Sequence, residues 1–335
     1  MKFLRGLAVF LSILALIAVL LLGTLYITFL GPSPTARDML TLSMLESSAL
    51  KFVPALFISQ TLVSKIAEHN SVVETAVITD TALFTASADA LENSACSNAD
   101  EWADYPDGIR IERIFGGTYR GYVMLIRDPS RLYVATSSDF SNGQPGLRIL
   151  DAARREGAAA AINGGGFPDE NGVGLGDVPE GLVFSKGQRL WGDENKVYPS
   201  VVGFDNNDVL IVGNYSVKTA REKGIRDALC FGPTLVINGE PREIRGLGGG
   251  LNPRSAIGQR QDGTVILLCV DGRMPSSLGA SFSDLIEIML EYSAVNASNL
   301  DGGMSSTLVY KNELVNICSS LYGPRRIPTY FMVRK

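Results

Sequence analysis

The sequence predicts an α+β protein: a mixed, β-rich sheet domain with a few helices, preceded by a transmembrane helix and a helical stalk. Three observations carry this. Beyond residue 109 the chain runs in short apolar segments separated by glycine, asparagine and aspartate. Only two stretches of that region keep a helical period. Residues 7–30 hold no charged side chain at all.

The uncharged run comes first. At about 1.5 Å rise per residue it is long enough to span a hydrocarbon core. Lys2 and Arg5 precede it, so the positive-inside rule leaves the N-terminus in the cytoplasm and everything after Gly31 outside. No A-x-A site follows, which favours an uncleaved signal anchor over a cleaved signal peptide. The expectation is a single-pass protein of the cell membrane, held through residues 7–30, with anchor boundaries of 1–30. Gly31-Pro32-Ser33-Pro34 then stops the helix. Residues 31–78 read as a juxtamembrane stalk, with Met39, Leu42, Leu45, Phe52, Leu56, Leu62 and Ile66 at helical spacing and Pro54 dividing it into two short helices. Residues 79–109 are rich in Ala, Ser, Thr, Asn and Asp and read as a flexible linker.

Residues 110–335 form the predicted sheet domain. Strands are expected around residues 122–126, 132–136, 201–204 and 209–212. Residues 265–270 are apolar throughout and predict a strand buried on both faces. Helices are expected over about 146–157 and 281–293, the second opening on Ser281 with Asp284 behind it.

Composition removes several functions. Acidic residues outnumber basic ones, 35 to 30, for a net charge of -5. No basic run stands out, so nucleic acid is not an expected partner. The one histidine, His69, lies outside every glycine-rich segment, which argues against Ser-His-Asp or Cys-His nucleophiles and multi-histidine metal sites. Proton chemistry then falls to carboxylates, lysine, tyrosine or water. Cys96, Cys230, Cys269 and Cys318 form no C-x-x-C pair. One disulfide is open to them in an oxidising compartment, and Cys269 reads as a buried small hydrophobe.

Five segments carry chemistry. In Asn299-Leu300-Asp301-Gly302-Gly303-Met304-Ser305-Ser306-Thr307 a carboxylate meets two glycines, which let a ligand approach the backbone, and two hydroxyls follow; a hairpin turn is the alternative. In Asn163-Gly164-Gly165-Gly166-Phe167 consecutive amides can form an anion-binding concavity, Asn163 can bond a sugar hydroxyl and Phe167 can stack on a ring. Arg254, in Asn252-Pro253-Arg254-Ser255, offers a planar fork for phosphate. Asp271, in Val270-Asp271-Gly272-Arg273, leaves a buried strand into a loop, and Arg273 follows it. Glu180, in Pro179-Glu180-Gly181-Leu182-Val183, is a further carboxylate. An oxygen-rich set of this kind also suits a hard cation such as calcium, which stands as the one cofactor expectation.

In this order, and with Phe231-Gly232-Pro233-Thr234-Leu235-Val236 between them, the segments resemble the phosphodiester glycosidase domain family. An animal member of that family removes the N-acetylglucosamine that covers mannose 6-phosphate. The resemblance covers residues 110–335. Met304 departs from it, since many members carry a third glycine there, and the cysteine-rich and EGF-like segments of the animal enzyme are not seen.

The resemblance implies hydrolysis of a sugar-1-phosphodiester between the anomeric carbon and its oxygen. It makes Asp301 the base or nucleophile, with Asp271 or Glu180 as partner. Substrate binding falls to Asn163, Gly164, Gly165, Gly166, Arg254, Arg273, Gly302, Gly303, Ser305 and Ser306. On an outward-facing domain the expected substrate is an envelope or exopolysaccharide glycan phosphodiester. The alternative is a non-catalytic glycan-binding or scaffold module of envelope polysaccharide assembly.

Overall fold

The structure is a computed structural model that describes residues 2–84, 101–140, 143–169, 173–320 and 322–335. Three antiparallel sheets surround one core. The largest has seven strands in the spatial order 109–115, 120–126, 265–270, 254–260, 294–300, 234–237 and 240–241. A second runs 188–191, 183–185, 225–230, 197–205 and 210–216, and a third 313–314, 308–310, 160–163, 329–333 and 132–136.

Alternation along the strands explains how the sheets share a centre. Val265, Leu267 and Cys269 point into the common core, with Val202, Phe204 and Val212 from the second sheet and Val134, Ile162 and Phe331 from the third. The opposite faces are closed by helices. Ile266, Leu268 and Val270 meet Leu285, Ile288 and Met289 of the helix Phe282–Glu291. The third sheet is covered by Ile149–Glu156 and the second by Val217–Glu222. The strand Val265–Val270 is therefore buried on both faces, as its sequence predicts.

Both expected helices form, over Ile149–Glu156 and Phe282–Glu291. The second opens on a capping box, the Ser281 hydroxyl accepting from Asp284 N while the Asp284 carboxylate accepts from Ser281 N. The short helix Val217–Glu222 was not expected, because six residues are too few to show a periodic stripe.

The N-terminal apolar helix runs Lys2–Leu30, and its stretch from Phe3 to Leu30 is long and apolar enough to cross a membrane. Two stalk helices follow, Pro34–Leu45 and Gln60–His69, separated by a short turn of 3-10 helix at Pro54–Leu56. His69 ends the second of these and is exposed. The stalk lies against the sheet domain: Asn70 accepts from Leu247 N at 2.7 Å, and Val73 N donates to Glu243 O at 2.9 Å.

The described ends of the expected linker are also fixed. Thr79 is bonded to Val212, Trp102 is buried beside the helix Phe282–Glu291, and the Asp107 carboxylate accepts from Tyr310 Oη. Residues 85–100 of that linker, with Cys96, lie outside the described residues. Cys230, Cys269 and Cys318 are free thiols.

Candidate active site

The three sheets meet at one end of the core, and a cleft of about 370 Å³ opens there. The strand Ala294–Leu300 delivers Asp301 to its floor. Asp301 N donates to Gly164 O at 3.0 Å, and Asn163 Nδ2 donates to Asp301 O at 2.6 Å. These bonds tie the end of the seven-stranded sheet to the strand Ala160–Asn163 of the third. The second sheet contributes Phe231 and Gly232, just beyond its strand Ile225–Cys230.

Asp301, Glu180, Arg254, Arg273, Gly166, Gly302, Gly303 and Ser305 all line this cleft. Asp301 faces the opening with protein packed on its other sides. Burial pushes its carboxyl up to about 7, against the Ser305 side chain, the Arg325 charge and Gly302 N, all of which favour the anion. Gly303 adopts φ 62°, a left-handed conformation that favours glycine, and a Cβ there would stand 3.3 Å from the Arg273 guanidinium. The Glu180 carboxylate lies close over Gly166, where a Cβ would come within 3.1 Å of its Oε2.

Three arginines reach the cleft in different states. Arg254 is buried; its Nε donates to Ala280 O and its NH2 to Gly250 O, and it stacks 4.0 Å from the Phe282 ring centre and pairs with Glu46 at 2.6 Å. Arg325 makes a two-pronged pair with Asp169, at 2.6 and 2.7 Å. Burial opposes ionisation of Asp169, but the Arg325 bonds, with Gly174 N and Ser48, outweigh it and hold the carboxyl down at about 2.

Arg273 differs from both. Its Nε and NH2 donate to Asn252 Oδ1, and among the described residues it has no carboxylate partner. Burial lowers its pKa, the Glu46 charge opposes that shift and the Arg254 charge adds to it. Its backbone sits at φ 58°, a left-handed conformation that costs a non-glycine residue on the order of 1 kcal/mol.

Several expected site residues lie behind the cleft wall. Asp271 is buried; it accepts from Ile317 N at 3.0 Å and Asn316 Nδ2 at 3.2 Å, so its carboxylate anchors the 316–317 loop. Burial raises its pKa, partly offset by those two donors. Asn163 is fully buried, its Oδ1 accepting from Ser255 Oγ and Thr307 N. The expected amide concavity at Gly164, Gly165 and Gly166 does not form. Gly164 N donates to Thr329 O, Gly165 N to Thr329 Oγ1 and Gly166 N to Cys230 O, leaving none for an anion. Gly164 and Gly165 are glycines because a Cβ would strike the Thr329 or Cys230 carbonyl. Ser306 is buried outside the lining.

The cleft also holds residues the sequence did not single out. Asp169 and Arg325 are one such pair, lying far apart in the chain. Asn299 is buried and lines the cleft; its Nδ2 donates to Gly232 O, while its Oδ1 has no protein donor among the described residues. Its place two residues before Asp301 on a strand was the available signal, since alternation points both side chains the same way. Glu46, Ser47 and Ser48 come from the stalk. Among the described residues no three His, Cys, Asp or Glu side chains gather as metal ligands.

The sequence model of the phosphodiester glycosidase family matches residues 156–334, more than half of the chain. The chain belongs to the phosphodiester glycosidase family. Its relatives include the SPbeta prophage-derived uncharacterized protein YomE of Bacillus subtilis, 31% identical over 198 residues, which cover 56% of this chain and 29% of that protein. The N-acetylglucosamine-1-phosphodiester alpha-N-acetylglucosaminidase of Bos taurus is 28% identical over 211 residues, 56% of this chain and 39% of that enzyme. The chain thus spans well under half the length of these curated relatives. The fold is shared with the catalytic domain of the zebrafish N-acetylglucosamine-1-phosphodiester alpha-N-acetylglucosaminidase, auto-inhibited by its pro-peptide. That likeness has a TM-score of 0.56 and 21% identity, over 68% of this chain and 82% of that one.

Proposed function

We propose that this family member is a membrane-anchored, extracytoplasmic glycosidase. It hydrolyses sugar-1-phosphodiester bonds of envelope or exopolysaccharide glycans between the anomeric carbon and the oxygen. The observation that carries the reading is one cleft holding a carboxyl poised near neutrality, Asp301, beside an arginine without a carboxylate partner, Arg273.

Asp301 in its ionised form acts on the anomeric carbon, directly or by taking a proton from water. The C1–O bond breaks, and its electron pair leaves with the phosphate, where charge develops against Arg273. Phosphate is already a good leaving group, so strong acid assistance is not needed. Glu180 is the second carboxylate within the lining. The unpartnered Asn299 Oδ1 is suited to accept from a sugar hydroxyl, and Phe167 in the same lining offers a ring face.

Full-length protein is expected to release free sugar from a sugar-1-phosphodiester, and Asp301→Asn to abolish this with the fold intact. Hydrolysis in ¹⁸O-water should place the label in the sugar. Label in phosphate would mean P–O cleavage, and binding without any turnover would mean a glycan-binding module.

A regulatory reading is favoured by Glu46. Its carboxylate accepts from Gly250 N, Asn252 Nδ2 and Arg254 at the cleft wall. The zebrafish domain's pro-peptide offers a parallel. Glu46→Gln removes the negative charge that competes with substrate phosphate for Arg254 and is expected to lower KM several-fold, measured by steady-state kinetics.

A further inference from the structure

The segment that closes the cleft on its N-terminal side also grips the end of the apolar helix. Phe29 stacks on Phe57 with ring centroids 4.9 Å apart. Leu25 and Phe29 share one cluster with Leu42, Ile58, Val63 and Ile66. At 1.5 Å per residue the stretch from Phe3 to Leu30 is about 42 Å long, roughly 12 Å more than a hydrocarbon core of about 30 Å. Its last turns, which hold Leu25 and Phe29, have the stalk packed around them.

Between the cleft wall at Glu46–Ser48 and the Phe57 stack, the chain turns through residues 49–56. That turn exposes Leu50 at 43%, Phe52 at 60% and Leu56 at 70%, with Lys51 exposed among them. Apolar tips flanking a lysine, beside the emerging end of a membrane helix, suit the boundary between acyl chains and anionic headgroups. Ser48 lies four residues from Phe52, at most about 14 Å along the chain. The cleft itself is at the small end for ligand pockets, sized for a sugar and its phosphate, so a long aglycone must leave through the mouth.

We infer that the 49–56 turn lies in the bilayer interface. The cleft then opens at the membrane surface and takes an amphiphilic sugar-1-phosphodiester whose aglycone stays in the lipid. The substrate class rests on the glycosidase reading above; the membrane contact of the turn does not.

The test uses the full chain in phosphatidylcholine–phosphatidylglycerol vesicles. Phe52→Trp adds an indole to Trp102 and Trp191. Its added emission is expected to be blue-shifted and quenched by lipids brominated near the headgroup; quenching by aqueous iodide alone overturns the inference. The double variant Phe52→Asp, Leu56→Asp then reads the substrate. Turnover of a long-chain glycosyl phosphodiester embedded in the vesicles is expected to fall about tenfold or more. Turnover of a short-chain, water-soluble diester of the same sugar stays unchanged, which also controls for folding. An equal loss on both, or no loss on either, overturns the lipid-borne substrate. If the parent protein cleaves neither diester, the glycosidase reading falls and the lipid substrate with it, while the indole signal still decides the membrane contact.

Discussion

Asp301 carries the most informative single charge in the molecule. Its folded pKa, about 7, lies above the ordinary aspartate value near 3.8 because burial outweighs Ser305, Arg325 and Gly302. Two consequences follow with definite sign. If the ionised form does the chemistry, kcat/KM falls about tenfold per pH unit below 7, an acid limb that pH–rate measurements will locate. Stability runs the other way. A raised folded pKa gives a contribution that is full below about 4 and is lost as pH rises through about 7. Asp301→Asn is therefore expected to melt higher than the parent at pH 8, by about 1–3 kcal/mol, and to match it at pH 4. Arg273 belongs to the same scale. Arg273→Ala should lower kcat/KM for the phosphodiester about a hundredfold, with Arg273→Lys recovering part of it. The Asp169–Arg325 pair titrates oppositely to Asp301: its stabilisation is present above about 4 and fades as pH falls through about 2.

At the level of elements, the ends of strands build the cleft and their interiors hold it still. Asn163 joins Ser255, Thr307 and Asp301 across two sheets. Asn163→Ala leaves those groups without partners and is expected to cost about 2–4 kcal/mol in denaturant unfolding. Ser281→Ala removes one half of a capping box and should cost about 1 kcal/mol. Much at this scale was legible in the sequence. Unbroken apolar character marked residues 265–270 as covered on both sides, and a cap followed by a stripe marked the helix from residue 282. The glycine-rich segments were legible as places of close approach, but what approaches them was not. Gly164 and Gly165 make room for the carbonyls of Thr329 and Cys230, which are distant in sequence and give no local sign. Asp271 and Asp301 look alike as carboxylates after apolar strands. One turns inward to Ile317 N and Asn316, and the other faces the cleft; only the tertiary pairing separates them.

For the whole molecule, the structure redraws the unit that folds. Residues 110–335 hold the glycine-rich segments, yet Trp102, Thr79 and Asp107 are built into the same body. A protein beginning at residue 110 loses the buried Trp102 contact, worth about 3–5 kcal/mol. It should melt well below one beginning at residue 72, and differential scanning calorimetry would show the gap. The stalk was legible as two helices parted by a proline. Its side-on docking, which puts Glu46 and Ser48 into the cleft wall, left no trace in periodicity because the contacts are scattered backbone bonds and single side chains.

The strand Thr329–Val333 has a further consequence. It is an interior strand of its sheet, between the strands Leu132–Thr136 and Ala160–Asn163, and its Phe331 and Val333 face the common core. The centre of the molecule thus stays open until residue 333 has emerged from the machinery that makes the chain. Until then a half-finished body waits with its interior exposed. Losing those few final residues would therefore yield aggregate rather than a weakened protein.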